Sequence, residues 1–177
     1  MSNETPANKM HEVEVNKLVI NIGTADDDQR QVSARRLLEL ITKRKPADGI
    51  SKKRLPEFKI VKGKKIGAFV TMRGDESTAT IGRLFEAVDK KVKEESISEN
   101  TVNFGIREYI DINGVKYDPK VGMMGMNVNI SFKRKGGRVA TRKIKRGKIP
   151  ERHKMVTREE IKEFLGRAFG VSTTTET

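Results

Sequence analysis

Two histidines, His11 and His153, are the only side chains of this sequence that ordinarily titrate close to neutral pH. A zinc-protease helix needs a second histidine four residues after the first, but the residue four positions after His11 is Val15. The run Asp26–Asp28 lacks the turning glycine of a calcium loop, where this chain has Gln31. The absence of cysteine excludes a thiolate nucleophile, a thiolate metal site and a disulfide. We therefore predict no metal site, no cofactor and no enzymatic activity.

The run Lys62–Gly67 contains the Gly-Lys pair of a phosphate-binding loop. A Walker motif has another glycine five positions before that pair, where this chain has Phe58. His153 lies among cations, so we expect it beside a phosphate or in solvent rather than acting as a catalytic base. Phosphate recognition is therefore predicted to depend on charge and not on a nucleotide loop.

The charge balance points to a partner that is rich in phosphate. The chain has 37 Lys and Arg residues against 24 Asp and Glu, a net charge of +13 and a pI near 10.0. This surplus favours nucleic acid over a membrane or an acidic protein. The polar first dozen residues lack the apolar core of a signal peptide, and no run approaches the roughly 20 apolar residues of a membrane span. We expect a soluble intracellular protein with no membrane partner.

The densest positive charge lies in residues 133–154, called here the basic arm. Eleven of these 22 residues are Lys or Arg, and Glu151 is the one acid among them. The arm joins a predicted strand to a predicted helix, which favours an arm anchored at both ends over a free tail. Its predicted RNA contacts are Lys133, Arg134, Arg138, Arg142, Lys143, Lys145, Arg146, Lys148 and Arg152.

Two loops are further candidates for contact. Residues 51–65, called here the finger, are either an ordinary charged hairpin tip or an RNA-contacting element. The run Val121–Asn127 holds three methionines, for which core filling is the favoured interpretation and an adaptable protein-contact patch is the alternative. The candidates in these loops are Lys59, Lys62, Lys64 and Lys65 in the finger, and Met123 and Met124 in the methionine run.

Four stretches alternate apolar and polar residues with the period of a β-strand, within residues 17–23, 66–74, 102–110 and 126–133. Strands with one apolar face indicate a largely antiparallel sheet that helices cover on that face. A merely solvated second face fits this pattern equally well, but the net charge favours contact with sugar and phosphate oxygens. The side chains predicted on the second face are Asn21, Thr71, Arg73, Asn103, Arg107, Tyr109, Asn127, Asn129 and Lys133.

Three segments with helical periodicity supply the second layer, so the predicted fold class is α+β. The third segment opens with the capping-box pair Thr157 and Glu160 and ends at Gly170. One domain is expected over residues 11–171, between a flexible leader (1–10) and a flexible tail (172–177). The apolar stripes of the first two segments are Val32, Leu37, Leu38 and Ile41, and then Ile81, Leu84, Phe85, Val88 and Val92.

Five segments resemble, in this order, the universal large-subunit ribosomal protein uL5 family in its archaeal and eukaryotic form. They are KLVINIGTADDD, KRKPADGISKKR, FKIVKGKKIGAFVTMRG, FGIREYIDINGVKYDPKVGMMGMNVNISFKR and KRGKIPERHKMVTREEIKEFL. The similarity covers most of residues 10–171, and IGAFVTMRG and YIDINGVKYDP are its most distinctive parts.

The resemblance implies a non-enzymatic protein, monomeric within the ribosome, that binds 5S rRNA and attaches it to large-subunit rRNA in the central protuberance. It implies that the finger approaches the peptidyl-site (P-site) tRNA. It also implies a bridge to a small-subunit head protein, for which Met123 and Met124 are the candidates. The 5S rRNA contacts of the family correspond to Asn21 and Thr71, and more weakly to Arg44, which stands where bacterial relatives have glutamine.

Three rival functions fit parts of this pattern. A general RNA chaperone would use the same charge and would bind any structured RNA equally well. An RNA-acting enzyme would need convergent titratable groups, which the sequence does not provide. A binder of acidic membranes is disfavoured because the cations of the basic arm lie in a glycine-broken stretch and not on one face of an amphipathic helix.

Overall fold

Six strands form one antiparallel sheet in the computed structural model, which describes residues 9–25, 27–58 and 60–174. The sheet order is β2-β3-β1-β7-β6-β5, and a separate parallel pair joins β4 to β8. The strands are β1 Val13–Gly23, β2 Ala47–Ile50, β3 Lys65–Met72, β4 Lys91–Lys93, β5 Ile97–Ser98, β6 Thr101–Ile106, β7 Met126–Arg134 and β8 Ser172–Thr174. The helices are α1 Asp28–Thr42, α2 Asp75–Glu86, α3 Arg138–Thr141, α4 Glu151–Lys154 and α5 Arg158–Phe169.

The core lies between one face of the sheet and helices α1, α2 and α5. On β1, Leu18, Ile20 and Ile22 are fully buried, while the alternate residues Val19 and Asn21 are only half-buried. This alternation is what strand geometry requires when one face packs against helices and the other does not. The predicted two-layer α+β fold is confirmed. Among the described residues, no helix is long and apolar enough to cross a bilayer.

Helix α5 begins and ends where the sequence predicts. The Thr157 side chain accepts a hydrogen bond from the backbone N–H of Glu160, and the Glu160 carboxylate accepts one from the backbone N–H of Thr157. This reciprocal capping box satisfies two donors that the first turn would otherwise leave unpaired. At the other end, Gly170 has a φ of 64°, a left-handed conformation that favours glycine.

The predicted stripe of helix α1 is wrong at Val32, which is 68% exposed. The helix instead buries Gln31, whose side-chain N–H donates to the carbonyl of Gly67 at 3.0 Å. The Thr24 hydroxyl donates to the Gln31 amide oxygen at 2.7 Å. The N–H and the oxygen of the buried Gln31 amide are therefore both hydrogen-bonded. This burial turns the helix away from the orientation that its apolar residues alone would predict.

The second helix is shorter than the predicted apolar stripe. It ends at Glu86, because Asp89 and Lys90 follow with left-handed φ values of 52° and 55°. Val88 therefore lies after the helix, and Val92 belongs to β4, although both side chains still pack against the core.

The strand alternation also stops earlier than predicted near Tyr109. Strand β6 ends at Ile106, and Tyr109 begins a short 3-10 turn in which its side chain is fully buried. Its hydroxyl accepts a hydrogen bond at 3.0 Å from the backbone N–H of Asp118. The turn leaves Ile110 exposed, so the predicted place of Tyr109 on the polar face is wrong.

Residues at both ends of the predicted domain are also placed in the fold. Ser172–Thr174, assigned to a flexible tail, forms β8 and pairs with β4 through backbone hydrogen bonds. Lys9–His11 forms a 3-10 turn beside the start of the basic arm, where the N–H of Lys135 donates to the carbonyl of Glu12. Backbone pairing of this kind leaves no apolar periodicity to detect in the sequence.

Candidate RNA-binding surface

Strands β1, β7 and β6 bring four asparagines together on the sheet face opposite the helices. Asn21 lies opposite Asn127, and Asn129 lies opposite Asn103. Residues opposed in this way have Cβ atoms about 5 Å apart, and positions 127 and 129 share a face because side chains alternate along a strand. These four residues are called here the asparagine cluster.

The side chains of the asparagine cluster keep their hydrogen-bonding groups available. Asn103 and Asn127 are exposed, and Asn21 and Asn129 are half-buried. None of the four side chains forms a hydrogen bond with another residue in the described part of the chain. Each amide offers two donors and one acceptor oxygen, which suit sugar hydroxyls, phosphates and base edges. Chemically, the cluster is a surface for positioning a polar ligand by several neutral hydrogen bonds.

Thr71 and Arg107 border the asparagine cluster, and Arg73 lies at the end of strand β3. Thr71 lies on the same face of β3, opposite Val19, which in turn lies opposite Asn129. Arg73 follows β3 and Arg107 follows β6, and both are exposed. The structure thus places Thr71 and the cluster on one face, as predicted, although the predicted RNA contact itself stays a prediction.

Arg107 and the asparagine cluster meet at a shallow depression at one end of the sheet. Asn21, Asn127 and Arg107 line it. Gly125 also lies in its wall, and an added Cβ there would stand 2.9 Å from the carbonyl oxygen of Arg107. A side chain at position 125 would therefore force the chain away and close part of the depression.

Two of the predicted RNA-contacting cations form exposed ion pairs. The ammonium of Lys133 lies 3.1 Å from the Glu14 carboxylate, and the guanidinium of Arg44 lies 2.5 Å from that of Glu76. Exposed pairs of this type contribute at most about 1 kcal/mol, so a phosphate can compete for either cation.

The finger is a two-stage hairpin. The N–H of Ser51 donates to the carbonyl of Lys64 at 2.8 Å, and further out Leu55 and Ile60 exchange two backbone hydrogen bonds. At the base of the finger, the Lys65 ammonium lies 3.0 Å from the Asp48 carboxylate. The hydrogen bond between these two groups is the main reason why the pKa of Asp48 lies below its ordinary value. Lys62 is exposed, whereas the predicted contact Lys59 lies outside the described residues.

The basic arm is divided by its ion pairs into a root and a tip. Its first three cations, Lys133, Arg134 and Lys135, pair with Glu14, Glu160 and Glu12 respectively. None of the other eight pairs with an acid in the described part of the chain, so the tip presents uncompensated charge. These eight are Arg138, Arg142, Lys143, Lys145, Arg146, Lys148, Arg152 and Lys154.

Backbone contacts give the arm tip a closed loop. The N–H of Gly147 donates to the carbonyl of Val139 at 3.1 Å. The Nε–H of Arg146 donates to the carbonyl of Ala140, and that of Arg142 to the carbonyl of Lys145, each at 2.7 Å. In both arginines the terminal nitrogens form no hydrogen bond within the described part of the chain, so they can bind phosphate.

Arg134, a predicted RNA contact, forms its bonds within the protein in this structure. Its side chain is only 12% exposed and donates hydrogen bonds of 2.9 Å to both carboxylate oxygens of Glu160. It also donates to the carbonyl of Met155, the residue that follows the arm, and to the carbonyl of His11. One guanidinium therefore closes the arm at its base and joins it to the N-terminal turn. No local sequence signal identifies this contact, because the partners are 21 to 123 residues away.

The Glu160 carboxyl is stabilised in its charged form at this junction. Partial burial by itself raises its pKa, but hydrogen bonds from the Thr157 backbone and from Arg134 outweigh that effect and lower the pKa below 4.5. The same carboxylate thus caps α5 and holds Arg134.

The methionine run divides between core and surface. Met124 and Met126 are buried, which confirms core filling for these two, while Met123 is 50% exposed. The loop is tied to helix α1 by a 2.9 Å ion pair between Arg36 and Asp118. Of the two bridge candidates, Met123 is exposed and Met124 is buried, and the bridge contact itself stays a prediction.

The histidines belong to no group of three or more potential metal ligands in the described part of the chain. The rings of His11 and His153 meet edge to face, with 6.1 Å between their centroids, beside the root of the basic arm. Their place is a packing contact between the N-terminal turn and helix α4.

The fold and surface define an α+β protein with a polar sheet face and, in the described part of the chain, a group of cations without acid partners. The model of the C-terminus of the ribosomal L5 family matches residues 65–169. The large ribosomal subunit protein uL5 of Sulfurisphaera tokodaii is 38% identical over 173 residues, covering 97% of this chain and 98% of that protein. The protein of the same name from Archaeoglobus fulgidus is 40% identical over 158 residues, covering 89% and 88%.

The uL5 protein of Picrophilus torridus is 38% identical over 170 residues, 95% of this chain and 96% of that protein. The chain therefore belongs to the uL5 family of large ribosomal subunit proteins. It is a structural component of the ribosome that associates with rRNA in the cytoplasm, and it is not an enzyme.

Proposed function

We propose that this protein binds 5S rRNA through the asparagine cluster and Thr71, and that it attaches the 5S rRNA to the large subunit in the central protuberance. The observation that carries the proposal is the set of four adjacent amides without intramolecular hydrogen bonds in the described structure. Asparagine disfavours strands, so four on one sheet face are explained by a ligand better than by folding. Neutral amides position RNA through sugars and base edges, as RNA recognition commonly requires.

The basic arm supplies affinity for large-subunit rRNA in this proposal. Its eight tip cations lack acid partners in the described structure and can each neutralise a phosphate. Arg107 adds charge beside the asparagine cluster, and Arg73 adds charge at the end of β3. Lys133 and Arg44 join them when phosphate displaces Glu14 and Glu76. Arg134 is excluded from this set because it anchors the arm.

The finger and the methionine run carry two further proposed contacts. The finger, with the exposed Lys62 and Lys65, approaches the P-site tRNA. Exposed Met123 contacts a small-subunit head protein in an intersubunit bridge, because a flexible thioether adapts to an apolar surface. The protein acts as a monomer within the ribosome.

The test is competitive equilibrium binding to 5S rRNA and to an unrelated structured RNA of similar size, neither rRNA nor tRNA, across a salt series. We compare the native chain with Asn21→Ala and Thr71→Ala, and use Gln29→Ala, an exposed amide on helix α1, as the control. We expect a 5S rRNA preference that persists at high salt and weakens in the two face variants but not in the control. Equal binding of both RNAs that disappears with salt and ignores the face variants would indicate a nonspecific RNA chaperone instead.

A further inference from the structure

Phe58 at the end of the finger stands apart from the other phenylalanines of the protein. The chain has seven phenylalanines, and the other six are buried or half-buried in the described structure. Phe58 is 63% exposed. Aromatic rings usually bury 150–250 Å² each in cores and interfaces, so an exposed ring at the tip of a projecting element requires a reason.

The finger holds this ring in a defined position. Phe58 closes a 3-10 turn with Pro56 and Glu57, and its N–H donates to the carbonyl of Leu55. The two hydrogen bonds between Leu55 and Ile60 close the base of the turn, and the Ile60 side chain is buried. The backbone therefore presents the Phe58 ring outward.

The surroundings of the ring combine apolar surface with positive charge. Leu55 and Val61 are exposed beside it in the sequence, and Glu57 is the only acid of the finger. The cations of the finger near the turn are Lys52, Lys53, Arg54 and Lys62. A ring bordered by cations suits nucleotides whose base faces are free, because the base stacks on the ring while the phosphates meet the cations.

We propose that Phe58 is a stacking platform for an RNA base whose face is not covered by a neighbouring base, and that the RNA is the tRNA approached by the finger. This inference rests on the proposed contact between finger and tRNA and adds the residue and the chemistry that recognise it. The lysine charges attract RNA whether or not its bases are stacked, whereas an aromatic ring selects RNA with an uncovered base.

The experiment exploits the absence of tryptophan from this chain. In the full-length protein, Phe58→Trp introduces a single tryptophan fluorophore at the finger tip. The probes are a tRNA and a fully base-paired RNA duplex of similar length. At saturation we expect tRNA to quench the introduced tryptophan and the duplex to leave it nearly unchanged, because stacking on a base requires an uncovered face.

Affinity measurements separate stacking from charge. Phe58→Leu should weaken tRNA binding about five-fold or more, as loss of one base–aromatic stack does. Val61→Ala, an exposed apolar change on the same finger, is the control and should have no effect. If Lys62→Gln weakened tRNA binding and Phe58→Leu did not, the proposed contact between finger and tRNA would stand and the stacking by Phe58 would be overturned.

The remaining outcomes are also decisive. No effect of either Lys62→Gln or Phe58→Leu would overturn both the finger contact and this inference. Equal quenching by tRNA and duplex would show only that RNA lies near the introduced tryptophan, and it would overturn base stacking. No quenching by either RNA would overturn the inference.

Discussion

At the scale of single residues, the neutral amides of the sheet face and the cations of the basic arm occupy different parts of the surface. The asparagine cluster has no charge and no internal hydrogen-bond partner among the described residues. The cations at the arm root are held by protein acids, whereas those at the tip are not in the described structure. Arg134 belongs to the cations of the arm root, because its guanidinium donates hydrogen bonds to Met155, His11 and Glu160.

The contact between Arg134 and Glu160 predicts a pH-dependent stability. Because the folded pKa of Glu160 is lowered, its stabilisation is complete above the ordinary value of 4.5 and is lost as the pH falls through the folded pKa. Glu160→Gln keeps a capping side chain but removes the charge, so near pH 7 we expect a loss of about 1–2 kcal/mol. Urea unfolding between about pH 7 and 3 should show this difference from the native chain shrinking toward acid.

The matched control for this prediction is Glu163→Gln. Glu163 lies three residues later on the same helix, in an exposed pair with Arg167. Such a pair contributes little, so the control should remain close to the native chain at every pH. A difference for Glu160→Gln that is constant with pH would show that the carboxylate charge does not hold the arm root.

At the scale of elements, the close approach of strands β1 and β3 fixes where the finger ends. Gly67 on β3 lies opposite Gly23 on β1, and an added Cβ on Gly67 would stand 2.6 Å from the Ile22 carbonyl oxygen. The Gly67 carbonyl also accepts the hydrogen bond from buried Gln31. The first residue pairs of β3 therefore position both the finger and helix α1.

Gly67→Ala should destabilise the protein by about 1–3 kcal/mol, since a backbone carbonyl cannot yield to the new methyl without moving the strand. The measurement is the midpoint of urea unfolding at constant slope. Gly23→Ala is the control, because a Cβ at that position meets no atom within 4 Å. Equal destabilisation by both changes would contradict the role of close strand approach.

Strand periodicity predicted the sheet and the placement of the asparagine cluster because alternation is a local property of the chain. Helix orientation was less predictable, since burial of Gln31 and exposure of Val32 depend on the partners Thr24 and Gly67. The end of β6 before Tyr109 depends on a hydrogen bond to a residue nine positions later. Charge composition found the basic arm, but only tertiary contacts separate its anchored root from its open tip.

At the scale of the whole molecule, the sheet separates two basic elements. The finger leaves β3 at the end of the sheet where Asn21 and Asn127 lie, because Gly23 pairs with Gly67 there. The basic arm leaves β7 at the opposite end, where Arg134 pairs with Val13. At about 3.3 Å per residue, Asn127 and Lys133 are roughly 20 Å apart along β7. The finger and the arm are therefore expected to contact different RNA segments.

Replacing four arm-tip cations should lower the salt dependence of RNA binding without removing the 5S rRNA preference. Changing Arg142, Lys143, Lys145 and Lys148 together to Gln should reduce the slope of log K against log salt by about 3, at 0.7–0.9 per phosphate contact. The control changes four exposed cations elsewhere to Gln: Arg30, Lys90, Lys91 and Arg158. An equal reduction in both sets would show that only net charge matters.

The most direct test of the central claim is to identify which RNA lies on the sheet face in the assembled large subunit. A photo-crosslinking amino acid at position 129, in the asparagine cluster, is compared with one at exposed position 32 on helix α1. We expect position 129 to crosslink to 5S rRNA and position 32 not to do so. Crosslinks from position 129 mainly to large-subunit rRNA or to protein would contradict recognition of 5S rRNA by the asparagine cluster.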